Sequence, residues 1–143
     1  MAGVIDLEIP ARRDHLALAR LVVTAAAAVD GRLSDRRVDD LRLAVSEACA
    51  NAVDALSRTD HPPPVALSIE LSAEEIAVTI TDRAGGFEPA AIGAIPGVTE
   101  PERLRHERGL GIPLMRSLVD DVGFTRTDDG TAVRLAVRFD TPS

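Results

Sequence analysis

Hydrophobic and polar residues alternate in the first stretch of the chain and recur at helical spacing in the next. Residues 3–9 (GVIDLEI) alternate between apolar and polar side chains, which predicts a short strand that ends at Pro10. Residues 13–29 carry apolar side chains at the three- and four-residue spacing of a helix, and Asp30-Gly31 is a turn signal at its end. The chain is therefore predicted to begin with a strand followed by a helix.

A second helix is predicted to begin where Ser34 or Asp35 can accept a hydrogen bond from an otherwise free backbone N–H group. It runs to about Ser57, because the loop "RTDHPPP" then places three successive prolines, which cannot continue a helix. Its apolar side chains fall on one stripe along the helix. The residues of this stripe, which we expect to be buried, are Val38, Leu41, Val45, Ala48, Ala52 and Leu56.

The middle of the chain combines two strands with a long irregular stretch. The strands, residues 65–72 (VALSIELS) and 75–82 (EIAVTITD), are predicted on either side of a tight turn at Ala73-Glu74. From about residue 83 to 108 the chain is rich in glycine and proline. Structureless loops of this length are uncommon in compact domains and are usually functional or disordered.

The last part of the chain is predicted to form a helix over residues 111–122 and a hairpin over residues 123–139, with Asp129-Gly130 as its turn signal. The element order β-α-α-β-β-loop-α-β-β predicts an α/β fold, a two-layer α+β sandwich whose mixed or antiparallel sheet carries helices on one face. Because no internal repeat or interdomain linker is visible, residues 1–143 are interpreted as a single domain.

Composition narrows the classes of function. The formal net charge of −7 argues against general binding to nucleic acids or acidic membranes, because both require a basic surface. The single cysteine, Cys49, excludes an internal disulfide, fits a reducing compartment and is expected to be a small buried hydrophobe. The sequence shows neither an apolar run of membrane-spanning length nor the pattern of a signal peptide, which favours the cytoplasm.

One helical stretch, "VSEACANAVDAL", places a carboxylate and a carboxamide four residues apart. Glu47 and Asn51 therefore lie on the same face of the predicted helix, off its buried stripe, on the side shared by Asp40 and Asp54. The face is either an ordinary solvated surface or a site. In a site, the Asn51 carbonyl oxygen would suit a hard cation such as Mg²⁺, and Glu47 would orient or deprotonate a nucleophile.

A second stretch, "TITDRAGGFEP", ends a hydrophobic strand in an acidic residue followed by glycines. Asp82 at the strand end can accept a hydrogen bond from an exocyclic amine such as that of adenine, and Gly85 and Gly86 allow the backbone to pass close to a flat ring. An aspartate two or three residues before a glycine is also typical of a turn. Alone, this stretch leaves both interpretations open.

Two further stretches carry candidate phosphate and nucleotide contacts. In "RGLGIPLMRSL", Gly109 and Gly111 precede a helix whose free N–H groups can receive a phosphate, with Arg108 as a neighbouring cation. In "DDGTAVRL", Thr131 follows the hairpin glycine and can place a hydroxyl group on a nucleotide. A helix-start turn and a turn-flanking threonine are the structural alternatives.

In this order along the chain, the four stretches resemble the GHKL ATPase superfamily, which includes gyrase, Hsp90, histidine kinases and MutL. "SEACANAV" and "ERGLGIPLMRSLVDDV" are most similar to the RsbW-like anti-sigma factor serine/threonine kinases, and the resemblance covers about residues 5 to 139. It implies a Bergerat-type ATP-binding fold with ATP and Mg²⁺ bound.

The resemblance also implies roles for individual residues. Glu47 corresponds to the general base and Asn51 to the Mg²⁺ ligand, while Asp82 corresponds to the residue that binds the adenine amine. Residues 88–108 correspond to the ATP lid. The remaining implied ATP-binding residues are Gly86, Arg108, Gly109, Gly111 and Thr131.

Three positions depart from the pattern of that family. Ala84 stands where the motif around Asp82 usually has its first glycine, and Glu107 stands at the first glycine position of the lid end. Asp54 occupies a position where the anti-sigma branch commonly has a histidine. None of these changes removes the implied base or the implied metal ligand.

The function that the resemblance implies is a cytoplasmic anti-sigma factor. Such a protein sequesters a sigma factor and phosphorylates a serine or threonine of an anti-anti-sigma partner with a STAS domain, and a homodimer is also implied. The main alternative is a nucleotide-gated binding module of the same fold without kinase activity.

Two other functions were considered from the sequence. A sensor histidine kinase would need a phosphoacceptor histidine, but His15, His61 and His106 lack the pattern of such a site and show no metal-ligand spacing. The remaining alternative is a catalytically silent α/β domain.

Overall fold

The computed structural model describes residues 3–57, 59–83, 111–127 and 130–139. A single 3-10 turn (Arg13–His15) precedes the first α-helix. The other elements, in chain order, are β1 (Gly3–Ile9), α1 (Leu16–Asp30), α2 (Asp35–Ala55), β2 (Val65–Leu71), β3 (Glu75–Asp82), α3 (Gly111–Leu118), β4 (Asp121–Thr127) and β5 (Gly130–Arg138). The predicted element order is confirmed, while the predicted loop from residue 84 to 108 lies outside the described residues.

The five strands form one sheet in the order β1-β2-β3-β5-β4, and every neighbouring pair is antiparallel. Of the two sheet types that the sequence left open, the antiparallel one is therefore observed. On β3, the alternate residues Ile76, Val78 and Ile80 are buried in the same cluster as the helix residues. Since alternate side chains of a strand share one face, this face of the sheet carries the helices.

The core between the sheet and the helices is aliphatic, as the composition predicts. Five of the six residues of the predicted α2 stripe are buried, and Val38 is partly buried at its edge. Many of the buried helix residues are alanines, including Ala19, Ala44 and Ala48, so α1 and α2 can pack closely. Within the described part of the chain, no helix is long and apolar enough to cross a membrane.

The end of α1 and the beginning of α2 lie at the turn and capping residues that the sequence predicts. Ser34 is the N-cap of α2, where its side-chain oxygen accepts a hydrogen bond from the Arg37 N–H at 3.2 Å. Gly31 ends α1 in the left-handed conformation with φ 77°, which glycine adopts without the strain of a Cβ atom. Both the cap and the turn predicted from the sequence are thus confirmed.

One boundary was wrong. The sequence predicts a helix over residues 111–122, but α3 ends at Leu118 and β4 begins at Asp121. The reason is tertiary: Asp120 accepts hydrogen bonds from the Arg37 guanidinium at 2.8 Å and from the Arg138 N–H at 2.7 Å. These contacts hold the residue that follows α3 between α2 and β5, so the chain turns there and pairs with β5.

Candidate functional site

The stacked acid and amide lie on α2, as the sequence predicts. Glu47 and Asn51 are both half-buried, next to the fully buried residues of the α2 stripe. The two aspartates on the same side of the helix are engaged with arginines: Asp54 lies 3.0 Å from Arg13, and Asp40 lies 3.9 Å from Arg36. No arginine in the described ranges forms a salt bridge with Glu47. Its carboxylate is thus not engaged by a described arginine, unlike those of its neighbours.

Asp82 is the most unusual of the candidate residues because it is a buried carboxylate. Its exposed fraction is only 8%. It continues the row of Val78 and Ile80 along β3, so it lies on the helix side of the sheet. A buried carboxylate at the end of a strand is a candidate for ligand recognition.

Thr131 lies directly opposite Asp82 in the register of β3 and β5. Residues opposite each other on neighbouring strands lie side by side on the same face of the sheet. Because α2 packs against both β3 and β5, these two side chains lie on the face of the sheet against which α2 packs. The fold therefore brings together two candidate residues that are far apart in the sequence.

Gly130 also contributes to this site, although the sequence predicts it only as the turn residue of the hairpin. A Cβ atom at this position would overlap the carbonyl oxygen of Asp82 and would lie 2.8 Å from its carbonyl carbon and 2.9 Å from the Arg83 Cα atom. Real Cβ contacts of this kind essentially never occur, so the backbones of β3 and β5 approach closely only because residue 130 is glycine. The hairpin glycine thus fixes the position of the strand end that carries Asp82.

The third element of the candidate site is the start of α3. Helix α3 begins at Gly111 and packs against α2, and its buried Met115 belongs to the core. The salt bridge between Arg37 and Asp120 at 2.8 Å joins the beginning of α2 to the residue that follows the end of α3. The end of α3 therefore lies near the beginning of α2.

Three candidate residues, Gly86, Arg108 and Gly109, lie outside the described residues, as does the implied lid from residue 88 to 108. The substituted positions Ala84 and Glu107 lie outside them as well. The candidate residues that the structure describes therefore lie on α2, at the neighbouring ends of β3 and β5, and at the first residue of α3.

The donors on α2 suit a magnesium ion of the kind that accompanies a nucleotide. The Asn51 amide oxygen is a hard donor, and Mg²⁺ in such sites takes one or two protein oxygens together with phosphate oxygens. Within residues 3–57, 59–83, 111–127 and 130–139, no group of three or more histidine, cysteine, aspartate or glutamate residues is arranged to hold a metal. The residues present thus fit an ion shared with phosphates and not an all-protein cage.

Two ionisable groups, Cys49 on α2 and Asp120 beside its beginning, have pKa values that are shifted in opposite directions. Burial raises the pKa of the Cys49 thiol to about 12, and the side chain is completely inaccessible. This confirms that Cys49 is a small buried hydrophobe and not a nucleophile. At Asp120, burial opposes ionisation, but the Arg138 N–H and the charge of Arg37 outweigh it and lower the pKa.

Comparison with known proteins gives consistent relatives. The model of the histidine kinase-like ATPase domain matches residues 9–137. The serine-protein kinase RsbW of Bacillus licheniformis is 29% identical, and the alignment covers 93% of this chain and 94% of that protein. The serine-protein kinase RsbW of Oceanobacillus iheyensis is 31% identical, and the alignment covers 82% of this chain and 76% of that protein.

Two solved structures share the fold. The RsbU and RsbW domains of a Mycobacterium tuberculosis protein superpose with a TM-score of 0.71 at 18% identity, covering 99% of this chain and 34% of that longer chain. The SiaB–SiaC complex of Pseudomonas aeruginosa gives a TM-score of 0.63 at 12% identity, covering 93% and 88%. Together, the family match over residues 9–137 and the RsbW relatives show that this chain belongs to the histidine kinase-like ATPase family, in the branch of the RsbW serine-protein kinases.

Proposed function

We propose that this protein is a cytoplasmic, ATP-dependent protein serine/threonine kinase that acts as an anti-sigma factor. It sequesters a sigma factor and phosphorylates a serine or threonine of an anti-anti-sigma partner with a STAS domain. The observation that carries the proposal is the buried Asp82 opposite Thr131, beneath the helix that bears Glu47 and Asn51. The relatives named as serine-protein kinases support the type of reaction.

In this proposal, Asp82 selects the base of the nucleotide. Its buried carboxylate accepts a hydrogen bond from the exocyclic amine of adenine, and the Thr131 hydroxyl group lies beside it to contact the same ring. A hydrogen bond to a buried charged group is stronger than one in water. A base that carries an oxygen instead of the amine would leave the carboxylate facing an acceptor, so ATP is preferred.

The phosphates are placed at the beginning of α3. The resemblance to the family implies that the backbone N–H groups of Gly109 and Gly111 bind them, with Arg108 as a neighbouring positive charge. The Asn51 amide oxygen would hold a magnesium ion, which would neutralise part of the triphosphate charge. Residues 88–108 correspond to the ATP lid and Gly86 to the glycine on the side of the adenine ring.

Glu47 acts as the general base for the incoming hydroxyl group. The serine or threonine oxygen of the partner attacks the γ-phosphorus atom, the bond from that atom to the β-phosphate oxygen breaks, and ADP leaves. Glu47 takes the hydroxyl proton, and its carboxylate is available because it is half-buried and forms no salt bridge with a described arginine. Positioning by the helix pair supplies the rest of the acceleration.

Transfer of labelled phosphate tests the proposal. The protein is incubated with γ-labelled ATP and its STAS-domain partner, and label on the partner is followed with time. Replacing Glu47→Gln keeps the shape of the side chain but removes the base, so transfer should fall by about 100- to 10,000-fold while ATP affinity is retained. Asp40→Asn, on the same side of α2, is the matched control and should transfer normally.

The results separate the alternatives. Binding of ATP without transfer to any cognate partner would establish the nucleotide-gated binding module instead of the kinase. A flat titration of the folded protein with ATP would exclude both and favour a silent domain. Sigma-factor binding and the implied homodimer are checked by gel filtration with light scattering, where a homodimer has twice the mass of one chain.

A further inference from the structure

One surface beside the nucleotide site combines an exposed aromatic ring with arginines, and its Arg126 lies opposite Thr131 in the register of β4 and β5. Phe124 and Arg126 lie two residues apart on β4, so they project from the same face of the strand. Arg116 of α3 lies over the Phe124 ring, with its guanidinium carbon 6.0 Å from the ring centre. Phe124 is 43% exposed, and both arginines are exposed. We call Arg116, Phe124 and Arg126 the arginine–phenylalanine patch.

No described carboxylate forms a salt bridge with the two arginines of this patch. Elsewhere, most described arginines face a carboxylate, as Arg37 faces Asp120 at 2.8 Å. Among the described residues, neither Arg116 nor Arg126 forms a salt bridge. The acidic residue at the start of β4, Asp121, is engaged by Arg138 at 2.7 Å. Two exposed arginines that form no salt bridge with a described carboxylate can bind a carboxylate of a partner protein.

The strand that carries the patch also has an open edge. In the described part of the chain, β4 is the outer strand and pairs with β5 alone. Its outward N–H and C=O groups can therefore pair with an extended segment of another chain. Side chains of an added strand would lie beside those of β4 at the same two-residue spacing, one next to Phe124 and one next to Arg126.

We propose that the β4 edge and the arginine–phenylalanine patch form a docking site for an acidic, extended segment of a partner protein. The segment carries a carboxylate that meets Arg126 and, two residues away, an apolar side chain that packs on Phe124. Arg116 adds a second positive charge above the ring. A nucleic acid would satisfy the arginines and could stack a base on the ring, but it would leave the backbone edge unused, so a protein segment fits the surface better.

A short peptide of defined chemistry tests this site with the full chain. The probe is a labelled seven-residue peptide in which a central valine has a glutamate two residues away on each side, with serine and threonine at the other positions. Binding is measured by fluorescence anisotropy at low salt. The double variant Arg116→Glu with Arg126→Glu should bind about tenfold more weakly or worse, and so should the wild type with a peptide that has glutamine in place of glutamate.

The control variant and the backbone test complete the design. Arg42→Glu, which changes an exposed arginine on α2, should bind the peptide as the wild type does. Methylation of alternate peptide nitrogens should abolish binding, because the added strand then loses its ladder hydrogen bonds. The proposal is overturned if the wild type does not bind the acidic peptide or if the folded double variant binds it equally well. Tighter binding of a single-stranded oligonucleotide of equal charge, lost in the same variant, also overturns it.

Discussion

Gly130 and Asp82 are in such close backbone contact that no other residue fits at position 130. A Cβ atom there would overlap the Asp82 carbonyl oxygen, and the Arg83 Cα atom would lie 2.9 Å away. The two residues belong to neighbouring strands, and Asp82 carries the buried carboxylate of the candidate site. The glycine that opens β5 therefore controls both the packing of the sheet and the position of the adenine-recognising side chain.

Replacing Gly130→Ala should weaken folding and nucleotide binding together. The added methyl group must push β3 and β5 apart, and overpacking of this kind costs about 1–3 kcal/mol of unfolding free energy. Because Asp82 moves with the strand end, ATP affinity in the remaining folded protein should also fall. Urea unfolding and calorimetric titration measure the two effects.

The matched control for this change is Gly123→Ala on β4. A Cβ atom at Gly123 meets no other atom within 4 Å, so its stability should change by no more than about 0.5 kcal/mol. Equal effects of the two substitutions would contradict the special role of Gly130.

Asp82→Asn should change which base the protein prefers. The variant keeps the shape of the side chain but replaces a charged acceptor with an amide that can also donate a hydrogen bond. ATP affinity should fall by about ten- to a hundredfold, since a hydrogen bond to a charged group is worth ~1.5–3 kcal/mol. The affinity for inosine triphosphate, which has an oxygen in place of the amine, should fall much less. An unchanged ratio of the two affinities would remove Asp82 from base recognition.

Local signals account for most of the fold. Alternation predicted β1 as residues 3–9 and β3 as residues 75–82, which are the observed bounds, and Ser34 caps α2 as its chemistry indicates. The end of α3 was mispredicted because it depends on Asp120, whose partners come from α2 and β5. Periodicity within a stretch contains no information about such distant contacts.

The candidate site was predictable to a similar extent. Helical spacing is enough to place Glu47 and Asn51 on one face of α2, because both residues belong to one element. The burial of Asp82 and its position opposite Thr131 follow from strand pairing, which a single sequence does not reveal. The contact of Gly130 with Asp82 and the position of Arg126 opposite Thr131 likewise become visible only when the sheet is assembled.

Acid should destabilise the protein partly through Asp30. The hydrogen bonds from Arg32 lower the pKa of this carboxyl, even though its burial acts in the opposite direction. Arg32 also donates to the Ser72 and Ala73 carbonyl oxygens and lies over the Phe139 ring, so the pair fastens the end of α1 to the β2–β3 turn.

The sign of the effect follows from the lowered pKa. The stabilisation is present above the unfolded-state pKa of about 3.9 and is lost as the pH falls through the lower folded-state pKa. Stability measured from pH 6 to pH 2.5 should therefore drop more steeply in the wild type than in Asp30→Asn, which already lacks the charge at neutral pH. Parallel curves for the two proteins would show that Asp30 contributes nothing to acid sensitivity.

Cys49 should react with thiol reagents only when the protein unfolds. Its pKa is raised to about 12 by burial, so at pH 8 only about one molecule in 10,000 carries the reactive thiolate, and the side chain is also inaccessible. Labelling in native buffer should be slow and should accelerate with urea in step with the loss of helical signal. Fast labelling of the native protein would mean that α2 opens locally.

Asn51→Ala should remove the dependence of nucleotide binding on magnesium. In the wild type, ATP affinity should rise with Mg²⁺ concentration, because the Asn51 amide oxygen holds the ion together with the phosphates. Without that oxygen, affinity with and without Mg²⁺ should be nearly the same, while affinity in the presence of a chelator should match the wild type, since Asp82 and Thr131 are unchanged. Asp40→Asn, on the same side of α2, should keep the full magnesium effect. If Asn51→Ala keeps it too, the metal ligand lies elsewhere, and the acid–amide pair is only a polar helix face.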